Sequence, residues 1–227
     1  MANLVAAVVF FLGIHFGVSG TALRGRLVKL LGEKAFRGLF ALTSIVGLIW
    51  LVRAYSTAPY IRTWGRLIVL DPLAQPLMLV AAMFVVIGIS TPSPTTAGME
   101  SQLTRGAQVR GITRITRHPF LWGVALWAFV HFVVNGDVAA ALVFGSLLLL
   151  SVVGTSSIDA KRRRAYGENW QAFSRETSNV PFAAILQQRN HLLPALREIG
   201  IVRPLIAIGV FVALFLLHGR LFGAPLN

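Results

Sequence analysis

Four of the five histidines lie within or at the edge of apolar stretches that are long enough to cross a bilayer: His15, His118, His131 and His218. An ionisable side chain is costly inside a membrane, so a histidine at such a position is a functional candidate. Neutral imidazole is the commonest metal ligand in proteins, and haem iron is typically held by histidine. The placement of these residues therefore predicts a metal or haem site between membrane helices.

His15 lies between Gly13 and Gly17, which carry no side chain and allow a flat cofactor or a neighbouring helix to approach closely. The alternative is a histidine that only hydrogen-bonds a backbone carbonyl of another helix. His131 lies thirteen residues after His118, which places the two roughly 20 Å apart on one helix and on different faces. They cannot bind one iron together, so His131 needs a partner on another helix.

His118 precedes Pro119, and proline suits the first position of a helix because the N–H that it lacks has no partner there. The positive end of the helix dipole disfavours a protonated imidazole at this place, so a neutral His118 is a candidate ligand or hydrogen-bond partner. Arg117 is a candidate partner for an acidic group such as a cofactor propionate. The alternative is a capping motif without a ligand. His218 is a further cofactor-binding candidate, although a histidine near the outer surface needs no special role.

The composition indicates an integral membrane protein. Of the 227 residues, 56% are hydrophobic and 13% are charged, whereas a globular domain carries about a quarter charged residues. The net charge of +13 is explained by loops that meet anionic lipid, and nucleic acid is not an expected partner, because the aromatic residues lie in the apolar stretches. The absence of cysteine excludes disulfides, iron–sulfur clusters and thiolate ligands.

Six membrane spans are predicted, each near the ~20 residues that a helix needs to cross hydrocarbon. They cover residues 2–19, 38–55, 72–90, 119–134, 138–157 and 204–217. Residues 135–137 (Asn-Gly-Asp) form a tight turn between the fourth and fifth spans, which predicts an antiparallel hairpin. The expected fold is an all-α polytopic bundle of about six transmembrane helices, in a single domain over residues 1–227.

Basic residues set the expected orientation. With the N-terminus outside, seventeen of the 21 Lys and Arg fall in cytoplasmic segments and four fall on the other side. Under the positive-inside rule this predicts both termini in the periplasm, if the protein lies in a bacterial inner membrane.

The basic segment over residues 158–203 is too long for a mere connector. Residues 159–173 predict a cytoplasmic helical extension that breaks at Tyr166-Gly167, after which Trp170 and Phe173 anchor at the membrane interface. Two short surface helices are expected at residues 183–188 and 192–199.

Two sets of motifs resemble known families. The first set is Arg117-His118-Pro119 with Gly123, then Asp159, Tyr166-Gly167-Glu168, Trp170 and Phe173. It is similar to membrane isoprenylcysteine-type methyltransferases, in which such segments help to hold S-adenosylmethionine. Those enzymes carry paired glutamates where this chain has Ile158-Asp159.

The second set extends over nearly the whole chain. It comprises His15 and Gly17, Leu23-Arg24, residues 32–37, residues 115–119 with His131, and residues 175–185. It resembles the NnrU family, and especially its 15-cis-zeta-carotene isomerase branch. The resemblance implies a haem b between membrane helices, with His15 and His131 as the axial ligands and catalytic residues. It also implies cis–trans isomerisation of a conjugated polyene dissolved in the membrane. For this reaction we expect a cavity lined by aromatic side chains: Trp122, Trp127, Phe129 and Phe132.

Alternatives to this interpretation remain open. One is a membrane haem protein without isomerase activity, serving redox sensing, electron transfer or nitrogen-oxide metabolism in denitrification. Another is an S-adenosylmethionine-dependent methyltransferase at the Arg117-His118 end. The ligand pair also has alternatives, because the predicted helix limits put His15 and His131 at depths that differ by roughly 14 Å. By depth alone, His131 pairs with His218, or His15 with His118.

Overall fold

The computed structural model describes residues 1–223, which contain helices and no β-strand. The α-helices are α1 (Ala2–Leu12), α2 (Leu23–Leu31), α3 (Glu33–Ser56), α4 (Asp71–Ile89), α5 (Pro119–Asn135), α6 (Val138–Glu176), α7 (Ala183–Leu186), α8 (Leu192–Ile199) and α9 (Val202–Phe222). A π-helix, Gly13–Ser19, continues α1, and 3₁₀ turns lie at Ile68–Leu70, Glu100–Arg105 and Gly111–Arg114.

The six predicted spans are all helical. Five helical segments are long and apolar enough to cross a membrane: Ala2–Ser19, Glu33–Ser56, Ile68–Ile89, Val138–Glu176 and Val202–Phe222. The sixth, α5, is apolar and has 17 residues, a length of about 25 Å. Within the described residues the protein is therefore an all-α polytopic membrane protein, as the sequence predicts.

Packing divides the chain into two compact units. The first unit comprises residues 1–71 and 131–150, and the second comprises residues 72–130 and the chain from residue 151 onward. In the first unit α1 packs on α3, where Gly47 lies against the rings of Phe10 and Phe11. Trp50 of α3 also donates a hydrogen bond of 3.0 Å to the Asn3 side chain. These contacts fix the helix that leads to His15.

The predicted tight turn between α5 and α6 is confirmed. Gly136 has a φ of 61°, which favours glycine, and its carbonyl accepts hydrogen bonds from the N–H groups of Thr63 and Gly65. Within the first unit, His131 stacks on Phe144 and Phe132 lies beside Gly145. The two helices therefore run antiparallel from the turn.

Gly136→Ala is expected to destabilise the protein. A Cβ at this position would overlap the backbone of Gly65, and the left-handed conformation adds strain, so a loss of about 1–3 kcal/mol is expected. The matched control is Gly145→Ala, whose Cβ would meet Phe132 at an ordinary 3.5 Å. Thermal unfolding in detergent, followed by circular dichroism, should show a lower Tm for the first variant alone. Equal Tm values for both variants would contradict the tight packing at this turn.

The basic segment differs from expectation in one respect. The break at Gly167 is confirmed, since this residue has non-helical angles inside α6. Trp170 and Phe173, however, do not anchor at the membrane interface. They are 1% and 3% exposed and pack with Leu103 in a core of the second unit. The two rings are buried because the 3₁₀ turn that carries Leu103 covers them.

The two short helices of this segment are confirmed at α7 and α8, although α7 ends two residues earlier than predicted. α8 packs against the 3₁₀ turn Gly111–Arg114. Ala195 and Ile199 of α8 join Ile112 and Ile115 in a second apolar cluster. α2 was not predicted, since its basic residues are typical of a loop.

Candidate functional site

His15 lies in the π-helix that continues α1, and its ring nitrogen Nδ1 is 2.7 Å from the carbonyl oxygen of Phe11. A carbonyl can only accept, so Nδ1 carries the proton and donates it. In the neutral imidazole the other nitrogen, Nε2, then carries the lone pair. Histidines that bind metals usually donate their second ring N–H in this way, to a backbone carbonyl or a carboxylate.

The surroundings of His15 combine aromatic contact with open space. The ring of Phe11 lies 4.5 Å from the imidazole and the ring of Phe40 lies edge-on at 5.4 Å, measured between centroids. A Cβ added at Gly13 or Gly17 would meet no atom within 4 Å. Open space therefore lies on either side of His15 along the chain, on helix faces other than the one that carries the imidazole. Single π-helical turns are frequent at functional sites.

His131 lies in α5 and stacks on Phe144 of α6, with ring centroids 4.7 Å apart and planes inclined by 29°. Phe144 in turn contacts Tyr55 of α3 at 5.7 Å. His131 belongs to the same compact unit as His15, whereas His118 and His218 belong to the other unit. The first unit thus contains both histidines that the family resemblance favours as ligands.

His15 and His131 are donors of the type that haem accepts, and their aromatic neighbours contact opposite ends of α3, with Phe40 beside His15 and Tyr55 beside Phe144. Ligation by two histidines would use one imidazole on each side of the haem, each with a nitrogen lone pair free for the iron. His15 meets the requirement for a committed Nδ1–H, and His131 is held by a stacked ring. The described residues contain no group of three or more His, Cys, Asp or Glu that could hold a bare metal ion, which a haem site does not need.

Arg117 and His118 form a buried polar cluster in the second unit. The carboxylate of Asp159 in α6 accepts hydrogen bonds from Arg117 Nε at 3.0 Å, from His118 Nε2 at 2.7 Å and from Asn179 Nδ2 at 3.1 Å. A second bond from Arg117 Nη2 makes the ion pair bidentate. The guanidinium also lies 5.4 Å from the ring centre of Trp170. The acidic partner expected for Arg117 is therefore a residue of the chain itself.

Burial lowers the pKa of His118, and its hydrogen bond to Asp159 opposes this effect only in part. The imidazole is therefore neutral at neutral pH, and Nε2 is the nitrogen that donates to Asp159. The side chains of Arg117, His118 and Asp159 are only 12%, 1% and 7% exposed. Arg117 and His118 are predicted from the sequence as cofactor-binding candidates, whereas their partner Asp159 is not predicted. The sequence does contain one signal for Asp159, since it is the first acidic residue after the apolar span of residues 138–157.

The remaining candidates are spread over the structure. His218 lies in α9 with its ring 5.0 Å from that of Phe222. Trp122 donates a hydrogen bond of 2.8 Å to the Asn179 carbonyl in the second unit. Phe129 is 47% exposed on α5, a position that suits contact with lipid. Phe132 contacts Trp64 in the first unit at 5.3 Å and is the one of the four predicted cavity aromatics that shares a unit with His131.

Comparison with known proteins gives a family and two relatives. The profile of the NnrU protein family matches residues 3–226. The chain is 35% identical over 82 residues to a 15-cis-zeta-carotene isomerase, chloroplastic, of Arabidopsis thaliana, and 34% identical over 82 residues to that of Zea mays. In both cases the aligned stretch is 36% of this chain and 22% of the relative.

The chain therefore spans about a fifth of the length of these curated relatives. No solved structure gives a significant match. The family profile, in contrast, covers nearly every position, including both membrane histidines of the first unit. This chain is a member of the NnrU family.

Proposed function

We propose that this protein is a haem b-dependent cis–trans isomerase of a conjugated polyene, similar to the 15-cis-zeta-carotene isomerases. The observation that carries the proposal is the state of His15. Its Nδ1–H is committed to the Phe11 carbonyl, which leaves an Nε2 lone pair inside a membrane helix. The partial identity to the two carotene isomerases supports the reaction and the substrate class.

His15 and His131 are the proposed axial ligands. Phe11 and Phe40 hold the imidazole of His15, and Phe144 holds that of His131. Haem iron, when bound, would supply a centre that interacts with the conjugated double bond and lowers its rotational barrier. Isomerisation changes neither the atoms nor the oxidation state of the polyene, so the residues of the chain have to position the substrate and exclude water.

The proposed substrate reaches the site from the bilayer. A polyene without charged groups partitions into hydrocarbon, and the membrane helices expose apolar side chains over most of their length. α9 illustrates this, since Ala207 is its one buried residue. Membrane lipid and a hydrophobic small molecule are therefore the partners that we propose.

The test is an isomer assay on reduced, haem-loaded protein in detergent, with 9,15,9′-tri-cis-zeta-carotene added. Chromatography should resolve a product that has lost only the 15-cis geometry and has the same mass. His15→Ala should give no product above the uncatalysed rate. Haem-loaded wild-type protein that leaves the substrate unchanged would refute the isomerase and favour a haem protein of redox or nitrogen-oxide metabolism.

We also propose an orientation in which residues 158–203 face the cytoplasm or its equivalent and both ends of the chain face the other side, as in a bacterial inner membrane. Because the chain has no cysteine, single cysteines can report this. Arg164→Cys should react with an impermeant maleimide only from the cytoplasmic side, and Thr57→Cys only from the opposite side. The same sidedness for both variants would contradict the orientation.

A further inference from the structure

The second unit contains an open cleft of about 600 Å³ with a mixed polar and apolar lining. Three arginines and two glutamates contribute to it: Arg110, Arg114, Arg203, Glu176 and Glu198. A smaller cleft of about 230 Å³ shares Arg110 and adds Arg105. We propose that this cleft binds a phosphate group. The inference is independent of haem and of isomerase activity, because none of these residues belongs to the unit that contains His15 and His131.

The charge of Glu198 is already compensated inside the cleft. Its carboxylate accepts bonds of 2.8 and 2.9 Å from Arg114 and one of 2.6 Å from the Gly111 N–H. The hydrogen bonds from Arg114 hold the pKa of Glu198 below its usual range. Both groups therefore stay ionised, and their opposite charges cancel. The contact of Arg203 is with a neutral group, the Ile199 carbonyl at 3.3 Å. Glu176 offsets one of the two remaining arginines, so the lining retains one positive charge, which favours an anionic ligand.

Thr91 provides an independent sign of a ligand. This residue is only 6% exposed, and it lines the same cleft. Its hydroxyl has no hydrogen-bond partner among the described residues, and a buried hydroxyl normally has one. The hydroxyl oxygen is closed to solvent, so a phosphate oxygen would satisfy it after a small shift of the cleft lining.

The cleft lies beside the ends of two membrane helices, which places it at the depth of the lipid headgroups. Thr91 lies two residues after the end of α4, and Arg203 is the second residue of α9. Both helices are long and apolar enough to cross the membrane, so their ends mark the edge of the hydrocarbon. Basic residues at that level meet lipid phosphates. A phospholipid headgroup is therefore the source that the location favours, with free phosphate as the other source of the same chemistry.

The test is a titration of the full-length chain in neutral detergent with phosphatidylglycerol, and separately with inorganic phosphate, read by native mass spectrometry. Arg203→Gln and Arg110→Gln should each weaken binding about tenfold, as expected for a lost charge-assisted contact. Thr91→Val should weaken it about threefold. The matched control, Arg164→Gln, removes the same charge from an exposed position on the α6 extension and should leave the affinity unchanged.

Thr91→Val separates binding from folding, because replacing an unpaired hydroxyl by a methyl group should not lower the Tm of the ligand-free protein. Tight binding of the lipid with weak binding of inorganic phosphate supports the headgroup as source, and equal binding of both supports free phosphate. Equal losses in Arg203→Gln and Arg164→Gln would overturn the proposal, since diffuse surface charge would then explain the binding. Absence of binding by both ligands would overturn it as well.

Discussion

His131→Ala is expected to leave the purified protein with at least about tenfold less haem than the wild type. Alanine offers no donor to iron, and losing a ligand costs more than the 10- to 100-fold in metal affinity typical of losing a residue that only supports a ligand. His15→Ala should have the same effect, because the two residues belong to one compact unit and are the proposed ligand pair. The haem-to-protein ratio, measured as the pyridine haemochrome, provides the test.

His218→Ala is the matched control, since it removes a membrane histidine that lies in the other unit and should keep wild-type haem content. A ligand role can also be separated from a folding role. Free imidazole should restore haem to His131→Ala, because it can occupy the space left by the side chain beside Phe144. Wild-type haem content in His131→Ala would show that the ligand assignment is wrong.

Asp159→Leu is expected to destabilise the protein by about 3–5 kcal/mol, because it leaves the guanidinium of Arg117 buried without its counter-ion. The Arg117 side chain is 12% exposed, and its guanidinium makes a bidentate pair with the carboxylate. The same change removes the acceptor of His118 and Asn179. Thermal or denaturant unfolding in detergent should show the loss directly.

The double variant Arg117→Met/Asp159→Leu should recover much of that stability, since removing both charges is far less costly than stranding one. A surface pair gives the contrast. Glu33 and Arg24 are 39% and 38% exposed, so Glu33→Gln should cost less than about 1 kcal/mol. If Asp159→Leu is no more harmful than Glu33→Gln, the buried pair does not hold the second unit together.

The membrane helices could be predicted because their signal is local. An apolar run of the right length forms a helix in lipid whatever its neighbours are, since backbone groups must be satisfied within the segment. The turn before α6 was equally readable, because Gly136 alone supplies the positive φ. α2 was not readable, since Arg24, Arg26 and Lys29 make it resemble a basic loop. The burial of Trp170 by Leu103 depends on a contact across 67 positions, which no local pattern encodes.

The sequence predicts which residues are candidates for the site, but it does not predict their hydrogen bonds and partners. A histidine between glycines in a membrane span already indicated His15, but the proton on its Nδ1 follows from the hydrogen bond of 2.7 Å to the Phe11 carbonyl. The sequence also left the ligand pair open, because depth along ideal helices pairs His131 with His218, or His15 with His118. The ion pair of Asp159 could not be predicted either, because Arg117 and His118 lie about forty positions before it in the sequence.

The most direct test of the ligand proposal is the optical and electron paramagnetic resonance spectrum of the oxidised wild-type protein, purified in detergent and supplied with haem. Imidazoles from two lipid-embedded helices should give a low-spin ferric signal with two nitrogen ligands, and His15→Ala should lose that signal. A colourless preparation that takes up no haem, or a spectrum indifferent to both His15→Ala and His131→Ala, would contradict the account.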